Sequence, residues 1–333
     1  MAGSTLNKGW QIAGGAIVCI SGAYQIFPAL LPQFTRRWRQ KINPETFLPE
    51  EVDEHTLSLI EDVLTKLNMP ASKEESLDVY VTSSDSPEYS GGFSQRSSCL
   101  MGLPFYFGWH DESDFEKGKS RLAIRNFPWD SAESETVKSS ILLSDDEKRF
   151  VIARQLGYLD TQHVWTKFGL RTLCLVGGFL VGHYSSHKLG FLEGSIGRGR
   201  AVSGPRPAVF ASVLYSFSLL YAFGISVLLT DAYNGIVDTS ADRYAATISP
   251  EYCHAGCSYY DKILSTNIAL RNLLPEGPKH FTAFGNEMPG AIRVKTKPLV
   301  SRRDHLRTLN DQQAVDVQVH SLLPSAAAPT SKV

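Results

Sequence analysis

Residues 149–160 read RFVIARQLGYLD, and what this stretch serves decides the fold. The wider segment, SDDEKRFVIARQLGYLDTQHVW, opens with Ser144 in position to cap a helix. Acids follow in the first turn, where carboxylates meet the positive end of the helix dipole. On such a helix Arg154 and Tyr158 lie one turn apart and point the same way, with Gln155 beside Arg154. A guanidinium, an amide and a phenol therefore sit among Phe150, Val151, Ile152, Leu156 and Leu159.

Working outward, the chain turns apolar on both sides. Residues 9–31, GWQIAGGAIVCISGAYQIFPALL, carry no charge, and about 23 residues make roughly 34 Å of helix, enough to cross a bilayer. The run is longer than a signal-peptide core, and Pro28 with the basic cluster at 36–41 reads as a retained anchor. Residues 208–230, AVFASVLYSFSLLYAFGISVLLT, form the clearest span; residues 168–186 form a weaker one, with Arg171 and His183 near its ends, able to snorkel. The last two make a hairpin around a Gly-, Pro- and Arg-rich loop, 187–207. Gly178 and Gly182, four apart, suit close helix approach, within the hairpin or against a partner.

The net charge of −1 gives no field for nucleic acid. Charge is uneven, however: Lys8, Arg36, Arg37, Arg39 and Lys41 all precede the first acid, Glu45, and such a basic, acid-free N-terminus suits mitochondrial import. With three crossings, residues 32–167 and the C-terminal region share one side, and the Lys/Arg count leans toward the matrix for it. Five cysteines, at 19, 99, 174, 253 and 257, form no C-x-x-C pair and no secreted disulfide scaffold.

The soluble parts read as follows. Leu57, Leu59, Ile60, Val63, Leu64 and Leu67 space a helix over 55–68; strands are expected at 77–83, at 97–109 up to Pro104, and at 120–127. The helix from Ser144 is expected to feed into the second span. After the third span, acids, small residues and Tyr244 in the segment carrying DTSADRYAA fit a helix running out of the membrane, and an amphipathic helix at 259–274 ends at Pro275. The map is a segment 1–8, a span 9–31, a soluble α/β part 40–167 with its last helix at 144–167, spans 168–186 and 208–230 around loop 187–207, a helical and basic part 231–307, and a disordered tail 308–333. The basic run Arg293, Lys295, Lys297, Arg302, Arg303 and Arg307 suits either anionic lipid headgroups or a solvated surface.

Membrane zinc peptidases of the CAAX-prenyl-protease and HtpX type carry H-E-x-x-H on a helix, often as LAHELGHI; the histidines hold zinc and the glutamate is the base. Residues 152–159, IARQLGYL, resemble that helix. In those peptidases an apolar hairpin follows, then a second helix like E-Y-x-A-D-R-Y-A-A whose glutamate is the third ligand; here residues 238–246 read DTSADRYAA. The resemblance covers roughly 55–270 and implies an α+β membrane protein with three transmembrane helices and a zincin-like α/β domain. Its departures fall on the chemistry. The vestigial active-site positions are Arg154 for the first histidine, Gln155 for the glutamate, Tyr158 for the second histidine and Asp238 for the third ligand. A guanidinium has no lone pair, glutamine cannot take a proton as carboxylate does, and a phenol replaces imidazole poorly. The resemblance therefore implies a pseudo-enzyme without metal or cofactor. If the two helices still pack, Arg154 projects to where the zinc was and Asp238 or Asp242 faces it, a guanidinium–carboxylate pair standing in as cross-link.

SYYDKILSTNIALRNLL, GNEMPG, KPLVSRRDHL, ILLSDDEKRFVIARQLGYLDT and MGLPFYFG, together, resemble the transmembrane protein 177 family. That resemblance implies a mitochondrial inner-membrane protein without enzymatic activity. It also implies a role in cytochrome c oxidase biogenesis, with oxidase subunit 2 and its small membrane assembly chaperone as partners alongside the lipid bilayer, and no small-molecule substrate. The alternatives are an active membrane metallopeptidase or other hydrolase, and a lipid-binding membrane scaffold. CHAGC, 253–257, and the histidines 163, 183 and 187 offer too few ligands to read as metal sites.

Overall fold

Buried apolar stripes at helical and strand spacing build one core around the helix that carries RFVIARQLGYLD. A computed structural model describes residues 31–43, 46–94, 99–122, 128–129, 131–161, 163–188, 206–290, 293–294 and 296–322, with 16 and 20 besides. The first expected span, 9–31, and the tail beyond 322 thus lie almost wholly outside the described residues.

In chain order the helices are α1 (Pro32–Arg39), α2 (Glu54–Lys66), α3 (Ala71–Glu74), α4 (Glu112–Gly118), α5 (Ala132–Ile141), α6 (Asp145–Asp160), α7 (His163–Lys188), α8 (Arg206–Ala246), α9 (Pro250–Leu273), α10 (Gly277–His280) and α11 (Leu299–Leu322). The strands β1 (Leu77–Thr82), β2 (Glu88–Ser90) and β3 (Cys99–Pro104) form one sheet in the order β1-β3-β2, β1 parallel and β2 antiparallel to β3. All six residues of the central β3 are buried. Leu59, Ile60, Val63 and Leu64 of α2, Met101 and Leu103 of β3, Phe150, Val151, Ile152 and Leu156 of α6, and Tyr259 and Tyr260 of α9 share one hydrophobic cluster.

α6 is its axis. Ser144 Oγ accepts from Glu147 N at 3.3 Å while Glu147 Oε2 accepts from Ser144 N at 2.8 Å, a reciprocal cap. Eleven of the helix's 16 residues are buried, as expected of a helix surrounded on all sides. Glu147 also accepts from Ser258 Oγ at 2.5 Å and Lys262 Nζ at 2.7 Å, tying α6 to α9.

α7 and α8 are long and apolar enough to cross a membrane. They pack against each other through small residues: a Cβ on Gly178 would lie 2.4 Å from Ala222 Cβ and 2.9 Å from Ser218 O, and one on Gly182 would lie 3.0 Å from the Tyr215 ring. His183 Nδ1 meets Tyr215 Oη at 2.7 Å across the hairpin, so this histidine is held within it. Gly178 and Gly182 therefore serve intramolecular packing, whereas nothing lies within 4 Å of a Cβ placed on Gly169 or Gly177.

Three expectations differ from the structure. The helix from Ser144 does not feed into the second span: α6 stops at Asp160, where Thr161 turns extended with ψ 145°, and α7 starts afresh. As expected of a helix running out of the membrane, the third span and the segment bearing DTSADRYAA are one continuous 41-residue α8, which passes through Asn234 and Gly235 without a break. At about 1.5 Å per residue α8 is roughly 60 Å long, twice a bilayer core, so its second half stands in the aqueous part. Where the expected strand 120–127 would begin, residues 119–121 form a 3₁₀ turn; the rest of that expectation, 123–127, lies outside the described residues. Residues 308–322 are not tail but the end of α11, and β2 escaped the sequence reading because it is three residues long.

Candidate functional site: a buried arginine–aspartate cluster

Four elements converge on the polar face of α6. α6 brings Arg154, Gln155 and Tyr158; α8, lying alongside, brings Asp238 and Asp242 one turn apart. Close approach depends on Gly157, where a Cβ would meet the Tyr244 ring at 3.0–3.1 Å. α9 adds Tyr260 and α11 adds Arg302, which α11 plants in the core beside the fully buried Leu306.

Tyr158 Oη donates to Asp238 Oδ1 at 2.6 Å. Arg154 Nη2 donates to Tyr158 Oη at 3.2 Å, and Arg154 Nε lies 3.4 Å from Asp242 Oδ1. Arg302 grips Asp242 with a fork, Nε to Oδ2 and Nη2 to Oδ1, both at 2.7 Å, and its Nη1 stands 3.7 Å from Asp238 Oδ2. Tyr260 Oη donates to Asp242 Oδ1 at 2.7 Å, and the Arg302 guanidinium sits 5.1 Å from the Tyr260 ring centre. Tyr89 of β2 stacks on Tyr158 at 4.4 Å and 9°. Two cations and two carboxylates thus balance in a region where Asp242 is 1% and Arg302 5% exposed. Gln155 is buried too, and its Oε1 has no hydrogen-bond partner among the described residues.

The electrostatics follow the burial. Burial pushes the Tyr158 and Tyr260 phenols up, against the pull of the neighbouring guanidinium groups, so both stay protonated and donate. Burial opposes charge on Arg154, but Tyr158, Tyr260 and Asp242 outweigh it and hold the guanidinium well above its ordinary range. Arg302, opposed by burial and by Arg154, is likewise raised, through Tyr260 and Asp242. The result is a permanently charged, hydrogen-bonded lock between α6, α8, α9 and α11. A fork-shaped cation with five donors and no lone pair can fix carboxylates but cannot bind a metal or shuttle a proton.

The structure thus brings Arg154 to Asp242, one of the two expected carboxylates, and Tyr158 to Asp238, and it adds three partners the sequence reading missed: Tyr89, Tyr260 and Arg302. Arg302 requires a correction, because a side chain 5% exposed and forked onto Asp242 is no lipid-headgroup contact. The signal was available: Leu299, Arg302, Leu306 and Leu309 recur at i, i+3, i+7 and i+10, which puts the arginine within an apolar stripe. The rest of the basic run is mostly engaged as well. Arg293 pairs with Asp231, Lys297 Nζ donates to Thr239 Oγ1 at 3.0 Å, and Arg303 and Arg307 both pair with Asp261. Lys295 lies outside the described residues.

Two other constellations are placed. In CHAGC, Cys253 is buried with Sγ 3.1 Å from Leu306 O, so it packs α9 against α11. His55, His110 and Asp145 bring one ligand atom each within 4.8 Å of one another, but His55 Nε2 is already bonded to Asp145 Oδ1 at 3.0 Å. The group also sits at the first turns of α2 and α6, whose positive ends disfavour a cation.

Among known proteins, the profile of the family described as Transmembrane protein 177 matches residues 31–322. Relatives of that name include the human protein, 26% identical over 287 residues covering 85% of each chain. The mouse protein is 23% identical over 289 residues, covering 86% of each, and the Xenopus laevis protein is 27% identical over 216 residues, covering 63% of this chain and 66% of its own. No solved structure matches. The chain belongs to the transmembrane protein 177 family and, with α7 and α8, is a membrane protein.

Proposed function

We propose that this member of the transmembrane protein 177 family is a non-catalytic mitochondrial inner-membrane assembly factor, a pseudo-enzyme on a zincin-like plan, with its larger aqueous part facing the matrix. In this reading it supports cytochrome c oxidase biogenesis by stabilising newly made oxidase subunit 2 together with that subunit's small membrane assembly chaperone. The observation that carries the non-catalytic reading is the Arg302 fork on Asp242, with Arg154 3.4 Å from the same carboxylate. The groups at the three ligand positions are engaged with one another, Arg154 with Tyr158 and Tyr158 with Asp238, and the element order of helix, apolar hairpin and second helix supports the plan. The partners and the compartment rest on the resemblance to the family.

The test is pulse-labelling in mitochondria lacking the protein. Newly made subunit 2 is expected to decay faster, to be restored by wild-type chain and equally by Gln155→Ala, and to co-isolate with a tagged chain together with the small chaperone. An unchanged subunit 2 lifetime, or rescue by wild type but not by a well-folded Gln155→Ala, would overturn the reading. Protease digestion of a C-terminal tag in mitochondria, mitoplasts and detergent tests the orientation: protection until detergent is added is expected, and cleavage in mitoplasts contradicts it.

A further inference from the structure

α1 is eight residues long and two-faced. Its inner face is fastened to the sheet: Pro32 and Thr35 are buried, and both Asp78 carboxylate oxygens accept from Arg36 Nη1 at 2.7 Å. Arg39 reaches Glu88 at 3.4 Å, and Ser83 N donates to Arg39 O at 2.8 Å. Its outer face is apolar and aromatic. Phe34 and Trp38, one turn apart with ring centres 5.9 Å apart, are 47% and 76% exposed, and in the segment that follows Ile42, Phe47 and Leu48 are exposed at 57%, 81% and 63%. Arg37, exposed between the two aromatics, has no ion pair among the described residues. A soluble surface rarely carries so many large apolar groups together unless something covers them.

The position of α1 says what covers them. The uncharged run 9–31 ends at Leu31, the residue before α1. Glu88, held by Arg39, precedes Tyr89, and the Tyr89 ring meets that of His163, the first residue of α7, edge-on at 4.9 Å. α1 is therefore fastened to the strand that abuts the point where α7 begins its membrane crossing. Tryptophan and phenylalanine with arginine, on a short helix at that level, match the chemistry of the bilayer interface, where rings enter the headgroup–acyl boundary and guanidinium groups meet phosphate.

We propose that α1, with the exposed side chains of Ile42, Phe47 and Leu48, forms a membrane-interface anchor, with Phe34, Trp38 and Phe47 in the headgroup layer and Arg37 on lipid phosphate. The lipid is the occupant, in preference to a second protein, because α1 directly follows the uncharged, span-length run 9–31 and is fastened to the strand that meets the first residue of α7. The anchor would hold the sheet at a fixed height against the bilayer and so orient the arginine–aspartate cluster relative to it. The inference rests on the membrane placement of α7 and α8 and not on the assembly role.

The test uses the full chain reconstituted in phospholipid bilayers, with tryptophan emission recorded for wild type, Trp38→Phe and Trp165→Phe in plain lipid and in lipid brominated near the carbonyl end of the acyl chains. The Trp38 component, taken by difference, is expected to be blue-shifted and to fall roughly twofold in brominated lipid, as for an interfacial ring. Trp165, on α7, reports insertion. Quenching of Trp165 with red-shifted, unquenched Trp38 would overturn the anchor while leaving the membrane reading intact. A blue-shifted but unquenched Trp38 would also overturn it, assigning the patch to a protein partner or a second copy. Quenching of neither would contradict the membrane placement on which the anchor rests. Because Trp38 is exposed, Trp38→Phe is expected to melt with wild type.

Discussion

Removing either partner of the Arg302–Asp242 fork should destabilise the protein strongly, and removing both should not. Asp242 is 1% exposed and takes two 2.7 Å bonds from Arg302, one from Tyr260, and a 3.4 Å approach from Arg154. In Arg302→Met, two carboxylates face the single cation Arg154; in Asp242→Leu, two cations face Asp238 alone. Each leaves an uncompensated buried charge, a loss of about 3–5 kcal/mol. At about 2–4 °C per kcal/mol, the scale for domains somewhat smaller than this chain, each single variant should melt roughly 6–20 °C lower. The double variant keeps Arg154 and Asp238, is balanced again, and should melt above at least one of the singles, a coupling of about 0.5–3 kcal/mol or more. The assay is intrinsic-fluorescence melting of the four proteins in one detergent, with limited proteolysis of α11 as a second probe. Singles within about 1 kcal/mol of wild type, or additive losses in the double, would refute the reasoning, because a surface pair behaves that way and a buried lock does not.

Three further outcomes are expected. Gly178→Leu should lower the melting temperature by forcing a side chain against Ala222 and the Ser218 carbonyl, whereas Gly177→Leu, with open space around its Cβ, should leave it unchanged; overpacking of this kind costs about 1–3 kcal/mol. Gly157→Ala should separate α6 from α8 at the Tyr244 ring and cost a similar amount, read as a lower melting temperature together with faster proteolysis of α11. Lys41, whose Nζ lies 3.1 Å from the centre of the Phe105 ring, is lowered to about 8 by burial and by Arg121. Acetylation of Lys41, followed by mass spectrometry, should therefore reach half its maximal rate near pH 8, well below ordinary lysines. The sign for stability agrees: the unfolded chain holds the Lys41 proton across pH 8 to 10.5 and the folded chain does not, so this group adds stability as pH rises through that window.

What the sequence disclosed, and what it hid, divides by whether a local pattern or a motif marks the contact. The α6 helix was readable because its cap, first-turn acids and buried face all lie within one short window, and the hairpin was readable because hydropathy needs no partner. Facing carboxylates for Arg154 were readable through a two-motif resemblance spanning 80-odd residues. For Arg302 the apolar stripe marks burial, but no motif ties it to its carboxylate, 60 residues upstream in a different helix, and Arg303 and Arg307 make the run look like a solvated surface. Tyr89 was missed for another reason: its strand has three residues and exists only because β3 accepts it as an edge. The run of α8 out of its apolar stretch was readable, because the acids, small residues and Tyr244 beyond Asp231 still suit a helix.

The central claim is that side chains, and not a metal, tie α6 to α8 at Arg154, Tyr158, Asp238 and Asp242. It is tested most directly by zinc analysis of the full chain purified without chelator, paired with melting before and after chelation. The account predicts less than about 0.1 zinc per chain and a melting temperature indifferent to chelator and to added zinc. About one zinc per chain, lost to chelator with a fall in melting temperature and regained with zinc, would contradict it.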